Sequence, residues 1–375
     1  MDFKSIDIFC HCVDNFGDAG VAYRFAKEFK AAHPVCRVRL FVDDMGTLRE
    51  IAGGVDVSLA VQEYKSVTCV KTLSLDSALA GALGVADVMV ETFACHIPEP
   101  LMELAYDNSK LIVNLEYLSA EEWVEDYHLK ESLLGRGTVR KFYFMPGFRE
   151  TTGGLIINSR LEGWLDNLIS TPDDGQLIGT VFTYERGFDT LISDLVDFGR
   201  DTTLLVFGDK SRRGMSATLE RAGCGGAYQR GVCKNIRLIY MPFIDQHDYD
   251  TLLCCTDFNI VRGEDSLARA LLSGKPFIWN AYIQDEKYQL VKVNALLKTM
   301  RPYFDDDGVF AAYSGLMRRF NNAPAESSRQ TTTERYGAFF KNLKKIEHYA
   351  SAIYYFMHRN CNLITKFSDF LRRYQ

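Results

Sequence analysis

Strand-like and helix-like patterns alternate along most of this chain. Short apolar runs such as residues 6–13 and 110–115 are typical of buried strands, and residues 21–32, with apolar positions four apart, are typical of a helix. This alternation predicts an α/β fold in which mostly parallel sheets carry helices on both faces. In such sheets ligands bind beyond the carboxyl ends of the strands, so the turns that follow the strands are the candidate site.

The βα pattern occurs in two series, and 375 residues exceed the size of one ordinary core. A stretch rich in turn residues, 170–175, separates the two series and is predicted to be a linker. We therefore predict a first domain at 1–169 and a second at 176–354. The tail, about 355–375, is rich in aromatic residues, and we expect it to return to the first domain.

Composition excludes several classes of protein. A net charge of −6 argues against a general nucleic-acid binder. No apolar run approaches the roughly 20 residues of a membrane span, and the chain enters a strand pattern without a signal peptide, so no membrane partner is predicted. Cysteines within apolar runs, such as Cys10, Cys12, Cys254 and Cys255, indicate reduced thiols in a cytoplasmic protein. Alternation along a strand turns His11 away from Cys10 and Cys12, so no metal centre is predicted there.

The most informative turn follows the apolar run 258–261. It contains Arg262, Gly263, Glu264, Asp265 and Ser266, and Ser266 is a candidate N-cap for a helix that ends near a glycine at 274. A helix N-terminus together with Arg262 suits a diphosphate, whereas Glu264 and Asp265 would repel phosphate and suit sugar or ribose hydroxyls. The alternative is a capped helix with Arg262 paired to Glu264 and no ligand.

A second polar turn follows the first strand and contains Asp14, Asn15, Phe16, Gly17 and Asp18. It lacks the G-x-G-x-x-G pattern of a dinucleotide site. Carboxylates at Asp14 and Asp18 would oppose a bound phosphate, so this turn suits a cationic or hydroxylated group. Asx-turn and capping chemistry at a helix start is the alternative, and the residues alone leave both open.

Three further residues, Tyr184, Phe243 and Gln246, follow predicted strands of the second series as Arg262 does. Aromatic faces at this edge suit a base or a sugar, although a half-buried aromatic side chain that merely fills a loop is the common alternative.

Four motifs in order resemble one family. They are residues 7–21, 114–123, 144–148 with 152–154, and 261–266. Together they are similar to the bacterial arginine rhamnosyltransferases that modify translation elongation factor P. The resemblance runs from about residue 6 to about residue 300, with departures at Leu267, Asn280 and Ile283. It implies the GT-B fold, in which two Rossmann-like domains face each other across a cleft.

The resemblance also implies a reaction. The donor would be dTDP-β-L-rhamnose and the acceptor an arginine side chain of folded elongation factor P, with inversion at the anomeric carbon and no metal. Asp18 would be the catalytic base, with Asp14 and Glu264 as further catalytic carboxylates. Donor contacts would come from Asn15, Phe16, Gly17, Tyr184, Phe243, Gln246, Arg262, Gly263, Glu264, Asp265 and Ser266. Another inverting GT-B enzyme, or a non-catalytic protein that binds nucleotide sugars or a translation factor, is the competing hypothesis.

Overall fold

The structure is a computed structural model that describes residues 3–13, 16–134, 137–161, 175–224, 232–322 and 334–374. It divides into two compact units, one formed by Met1–Ser159 with Met357–Gln375 and the other by Arg160–Phe356. The sequence prediction had the first domain end at residue 169. Residues 170–174 of the predicted linker lie outside the described residues.

The first unit contains an eight-stranded sheet in the order β3-β4-β2-β1-β5-β6-β8-β7. Its strands are β1 (Ser5–Cys10), β2 (Arg37–Val42), β3 (Val61–Tyr64), β4 (Val67–Lys71), β5 (Val88–Thr92), β6 (Leu111–Leu115), β7 (Glu131–Ser132) and β8 (Arg140–Phe144). The central pairs are parallel, and only β3 and β7 at the edges run antiparallel to their neighbours. Because β1 lies between β2 and β5, the strand order reverses at its carboxyl end, which is where such sheets bind ligands.

Helices cover both faces of this sheet. The helices are α1 (Phe16–Ala32), α2 (Met45–Ala52), α3 (Ser77–Leu83), α4 (Glu99–Asn108) and α5 (Trp123–Tyr127). One core cluster joins α1 to alternate residues of β1, β2, β5 and β6, and a second cluster joins residues of α3 and α4 to the opposite face. Burial on both faces explains why these strands read as continuous apolar runs rather than as alternating ones.

In the second unit the sheet has six strands, in the order β11-β12-β10-β9-β13-β14. The strands are β9 (Leu177–Val181), β10 (Thr202–Val206), β11 (Val232–Cys233), β12 (Ile236–Tyr240), β13 (Phe258–Arg262) and β14 (Phe277–Asn280). All pairs except β11 with β12 are parallel. The strand order reverses between β9 and β13. These two strands pair closely at Gly179, where a glycine is required because an added Cβ would lie 2.2 Å from the Phe258 ring.

The remaining helices follow these strands and then form the C-terminal part of the chain. They are α6 (Asp189–Phe198), α7 (Asp209–Arg221), α8 (Gln246–Cys254), α9 (Gly263–Leu272), α10 (Tyr288–Met300), α11 (Asp307–Asn321), α12 (Gly337–Lys341), α13 (Leu343–Asn360) and α14 (Leu363–Arg372). In the first unit, the ring of Phe367 in α14 meets those of Phe25 and Phe144 at centroid distances of 5.2 and 5.1 Å. Phe367 and Phe370 of the tail are therefore core residues of the first unit, whereas Tyr355 is exposed.

The cysteines correct one prediction. Cys10, Cys12 and Cys254 are free, as expected. Cys224 and Cys233, however, form a disulfide bond, because the end of α7 and the start of β11 bring their Cα atoms to 5.8 Å. Cys255 is exposed rather than part of a core.

Candidate functional site

Asp18 lies at the carboxyl end of β1, where the strand order of the first unit reverses. Its side chain is almost fully buried, and its Oδ2 accepts the Val13 N–H at 3.0 Å. Its Oδ1 accepts the Tyr117 hydroxyl at 3.0 Å. Two donors therefore fix both oxygens of this carboxylate in one orientation.

The sequence prediction had α1 begin at residue 21, and this was wrong. The helix begins at Phe16, so Phe16, Gly17 and Asp18 form its first turn rather than a loop. The two glycines suggested a turn, but Gly20 is buried in the helix, where a small residue permits close packing. A carboxylate in the first turn also interacts favourably with the helix dipole. Phe16 is 46% exposed beside it, whereas Asp14 and Asn15 lie outside the described residues.

Tyr117, to which the sequence analysis assigned no role, belongs to this site. It follows β6, and its ring stacks on that of Phe93, which follows β5, at 4.4 Å between centroids. Phe93 and Ala94 both have positive φ, 57° and 55°. Non-glycine residues adopt this conformation at an energetic cost, and here it turns the Phe93 ring toward Tyr117. The rule that ligands bind beyond strand ends is the signal that could have identified this position, because Tyr117 closely follows β6.

A second carboxylate holds the segment that leads to Asp18. Asp43, directly after β2, accepts the Cys12 N–H at 3.0 Å through Oδ1, and its Oδ2 meets the His11 ring. Hydrogen bonds from His11 and Cys12 hold the pKa of Asp43 below its usual value, against the opposing effect of burial. As the alternation predicted, Cys10 is buried and His11 points to solvent. Among the residues that the structure describes, no three His, Cys, Asp or Glu side chains are arranged to hold a metal ion.

The polar turn of the second unit differs from its prediction at the helix start. Residue Arg262 occupies the N-cap position and α9 begins at Gly263, so Ser266 lies within the helix rather than at its N-cap. The reason is the backbone of Gly263, whose φ of +68° allows the chain to turn directly from β13 into the helix. The end of the helix is as predicted, with Gly274 at a φ of +66° just past it.

Arg262 lies against the turn that follows β9. Its guanidinium carbon is 4.3 Å from the Phe182 ring centroid and 5.1 Å from that of Tyr184, and its Nη1 donates to the Thr183 carbonyl at 3.2 Å. Lys210, at the start of α7, places a second cation 5.6 Å from the Tyr184 ring. The predicted residues Arg262 and Tyr184 are therefore adjacent, at the point where this sheet reverses its strand order.

The carboxylates of this turn have basic partners. Glu264 Oε1 lies 3.1 Å from Lys292 Nζ of α10, and Asp265 lies 3.5 Å from Arg269 one helical turn later. The Trp279 indole N–H donates to the Gly263 carbonyl at 2.9 Å and fixes the turn from β14. These salt bridges offset the negative charge that would otherwise oppose a phosphate at this helix end.

Two departures from the family pattern have local roles. Asn280 Oδ1 accepts the Tyr184 N–H at 3.0 Å, so it orients the aromatic residue beside Arg262. Leu267 is buried and contributes to packing. Tyr282, which the sequence analysis did not select, lies edge-on to Tyr184 at 5.4 Å and is 52% exposed.

The remaining predicted residues follow β12. Phe243 is 59% exposed, and Gln246 is the first residue of α8, whose N-cap is Asp245. Burial raises the pKa of Tyr249 in this helix, and the adjacent Ser266 side chain opposes that shift. The N-terminal turns of α8 and α9 are thus neighbours, and an exposed aromatic ring lies just before one of them.

Comparisons with known proteins agree on one family. The model of the elongation factor P (EF-P) rhamnosyltransferase EarP matches residues 6–372. A protein-arginine rhamnosyltransferase of Pseudomonas putida KT2440 is 34% identical over 84% of this chain and 86% of its own length. Enzymes of the same name from Pseudomonas aeruginosa PAO1 and Neisseria meningitidis serogroup B are 35% and 32% identical, over 78% and 86% of this chain and 81% and 85% of their own lengths.

Solved structures agree on the fold. One, from work on the structural basis of EarP-mediated arginine glycosylation of translation elongation factor EF-P, aligns with a TM-score of 0.62 at 22% identity over 98% of this chain and 99% of its own. A UGT transferase of Siraitia grosvenorii in complex with UDP aligns with a TM-score of 0.54 at 9% identity over 99% of both chains. At such identities the likeness establishes the GT-B fold and nothing finer.

Proposed function

The chain belongs to the EarP family of EF-P rhamnosyltransferases, and on that premise we propose that it transfers L-rhamnose from dTDP-β-L-rhamnose to an arginine side chain of EF-P. Membership makes it a glycosyltransferase; the donor and the acceptor are the proposal. One observation carries it in particular. Asp18 is a nearly buried carboxylate, oriented by two hydrogen bonds at the strand reversal of its unit, where a guanidinium would find a fixed ionic partner.

The chemistry requires such a carboxylate. A guanidinium has a pKa above roughly 12 and its delocalised nitrogens are weak nucleophiles. A carboxylate paired with it localises positive charge on the nitrogens that do not react and accepts the proton as the new bond forms. We assign this role to Asp18, with Asp14 as its partner in binding the acceptor and Glu264 as a further carboxylate at the reacting sugar.

The transfer forms one carbon–nitrogen bond and breaks one carbon–oxygen bond. One arginine nitrogen attacks the anomeric carbon, the bond from that carbon to the dTDP oxygen breaks, and the nitrogen proton passes to Asp18. Attack from the face opposite the leaving group inverts a β-linked donor to an α-linked product. The leaving dTDP takes the bonding electron pair, so its diphosphate gains negative charge that cationic groups must stabilise.

The polar turn of the second unit suits that task. Arg262 at the N-cap and the first N–H groups of α9, up to Ser266, would bind the diphosphate. Tyr184 and Phe243 offer aromatic faces for thymine, and Gln246 and Gly263 offer polar and backbone contacts. Asn15, Phe16 and Gly17 would contact the sugar from the first unit, and Asp265 the ribose. These groups supply the cationic charge themselves, so we propose that the reaction needs no metal.

EF-P is a translation elongation factor, so we also propose that the enzyme works in the cytoplasm, without nucleic acid or membrane as a partner. Within the part of the chain that the structure describes, no helix is both long enough and apolar enough to cross a bilayer.

The test is transfer to EF-P, read by the intact mass of the factor after incubation with dTDP-β-L-rhamnose. We expect a gain of one deoxyhexose. With Asp18→Asn we expect a rate at least about 100-fold lower, since general-base catalysis contributes roughly 10²–10⁴, with unchanged dTDP affinity by calorimetry. Asp56→Asn is the matched control, because Asp56 is solvent-exposed and, among the contacts described, its side chain accepts hydrogen bonds only from the nearby Ser58.

Three results would count against the proposal. No mass gain with the unsubstituted enzyme would refute the substrates. Full activity of Asp18→Asn would refute its role as the base. Activity that disappears on chelation and returns with a divalent cation would refute metal-free transfer.

A further inference from the structure

Exposed aromatic side chains extend from the Asp18 site along the carboxyl edge of the first sheet. Tyr117, Trp123 and Tyr127 are 47%, 44% and 53% exposed, and we refer to these three residues as the aromatic strip. Trp123 and Tyr127 contact each other edge-on at 6.0 Å, and Tyr127 contacts Tyr143 at 6.4 Å. Large aromatic side chains exposed together on a rigid surface are characteristic of protein interfaces.

The strip follows the order of the strands. Asp18 lies beyond β1, Tyr117 beyond β6, and the segment 116–122 then passes the end of β8, where Ser119 pairs with Gly147. Neighbouring strands are about 4.8 Å apart, so the three steps from β1 to β8 span roughly 15 Å. Tyr117 joins the strip to the site directly through its hydrogen bond to Asp18.

The short helix α5, which carries the outer part of the strip, is held firmly. Arg149 pairs with Glu125, and Val124 is fully buried. His128, directly after the helix, accepts the Met145 N–H through Nδ1 at 3.1 Å. These anchors leave Trp123 and Tyr127 facing solvent in fixed positions, and a preorganised surface loses less entropy when it binds.

Charge indicates what the strip would bind. The segment 116–127 contains five carboxylates and no lysine or arginine. Glu125 is neutralised by Arg149, while Asp126 is exposed. An aromatic and acidic surface beside a site for a guanidinium would complement an acceptor whose reactive arginine lies in a basic and partly apolar surface.

We propose that the aromatic strip is the docking surface for the folded protein acceptor, and that it binds the basic and apolar surroundings of the target arginine. This inference rests on the proposed function and deepens it: Asp18 would select the guanidinium, and the strip would select the protein that bears it. The outer residues of the strip, Trp123 and Tyr127, would therefore determine the acceptor concentration that half-saturates the enzyme, and not the rate of the chemical step.

The experiment measures initial rates against EF-P concentration at saturating dTDP-β-L-rhamnose. For Trp123→Ala and for Tyr127→Ala we expect KM for EF-P to rise about tenfold with kcat within about twofold, since truncating an aromatic anchor has effects of this size. Trp123→Phe, which keeps an aromatic ring, should retain most of the affinity for EF-P that Trp123→Ala loses. Val35→Ala is the matched control, because Val35 is 99% exposed and lies before the amino end of β2, whereas the aromatic strip lies at the carboxyl ends of the strands. The KM of this control variant for EF-P should not change.

A second variant guards against a folding defect. Asp126→Lys removes no apolar contact and should raise KM several-fold while weakening its dependence on salt. Unchanged dTDP affinity in each variant establishes that the enzyme is folded. KM values within twofold of the unsubstituted enzyme for all three variants would refute the docking surface while leaving the transfer reaction intact. No product with the unsubstituted enzyme would refute the proposed function, and the docking surface with it.

Discussion

Gly154 lies where the main part of the first unit meets the C-terminal segment of the chain. Its φ is +80°, and a Cβ added to it would lie 2.3 Å from the Cys361 carbonyl oxygen. That carbonyl accepts the Leu155 N–H at 2.7 Å, and the Leu155 carbonyl accepts the Leu363 N–H at 2.8 Å. Gly154→Ala should therefore separate the tail from the unit whose core α14 completes.

The size of the effect follows from these contacts. An alanine at positive φ costs about 1–2 kcal/mol. The methyl group would be 0.7 Å inside the 3.0 Å limit of real Cβ contacts, so the Cys361 carbonyl must move away and we expect both hydrogen bonds to break. Their loss at about 1 kcal/mol each brings the total cost to about 3–4 kcal/mol. For a unit of roughly 150–250 residues this lowers the unfolding midpoint by about 6–16 °C.

Thermal unfolding followed by circular dichroism measures this change. Gly53→Ala is the control, because Gly53 is in the same unit at a φ of +63° with nothing within 4 Å of an added Cβ. It isolates the backbone cost and should lower the midpoint by only about 2–8 °C. Equal midpoints for the two variants would refute the argument that the tail is held through close approach at Gly154.

Two further predictions concern activity and pH. Tyr117→Phe keeps the ring stack but removes the hydroxyl that donates to Asp18. Because the side chain is half-exposed, this hydrogen bond is worth about 1 kcal/mol. We therefore expect kcat to fall about fivefold while the affinity for dTDP stays unchanged. An unchanged kcat would mean that the bond does not orient the carboxylate. Burial lowers the pKa of His128 from 6.5 to about 4. Between these two pH values the unfolded chain binds a proton at His128 that the folded protein does not bind. The free energy of unfolding should therefore fall as the pH drops from about 6.5 to about 4. Unfolding midpoints measured across this range should fall less steeply for His128→Gln, and equal slopes would contradict the assignment.

The secondary structure was largely predictable where local rules agree. The apolar runs 110–115 and 258–261 are present as the strands Leu111–Leu115 and Phe258–Arg262, each within one residue of its prediction. The run 6–13 is present as Ser5–Cys10, which ends three residues earlier than predicted, and the parallel strand β4 was not predicted. Burial on both faces makes such runs unmistakable. Gly274 ends α9 as predicted, because a positive φ there is a local requirement that the sequence displays.

The helix starts were less predictable. Both helices begin earlier than predicted, α1 by five residues and α9 by four. A glycine at such a position either ends regular structure or permits a tight entry into a helix, and the choice depends on the strand packed against it. The same holds for Cys224 and Cys233, whose thiols become partners only because α7 and β11 bring them together.

The chain by itself determined the class of fold, the order of the strands along it, and the carboxylate and arginine residues worth considering, since these depend on periodicity and residue type. The tertiary structure decided which residues share a site. Tyr117 reaches Asp18 across 99 positions, and Lys292 reaches Glu264 across 28. Such pairs form because parallel strands bring their carboxyl ends to one edge whatever their separation in the chain, and no local pattern records which side chains meet there.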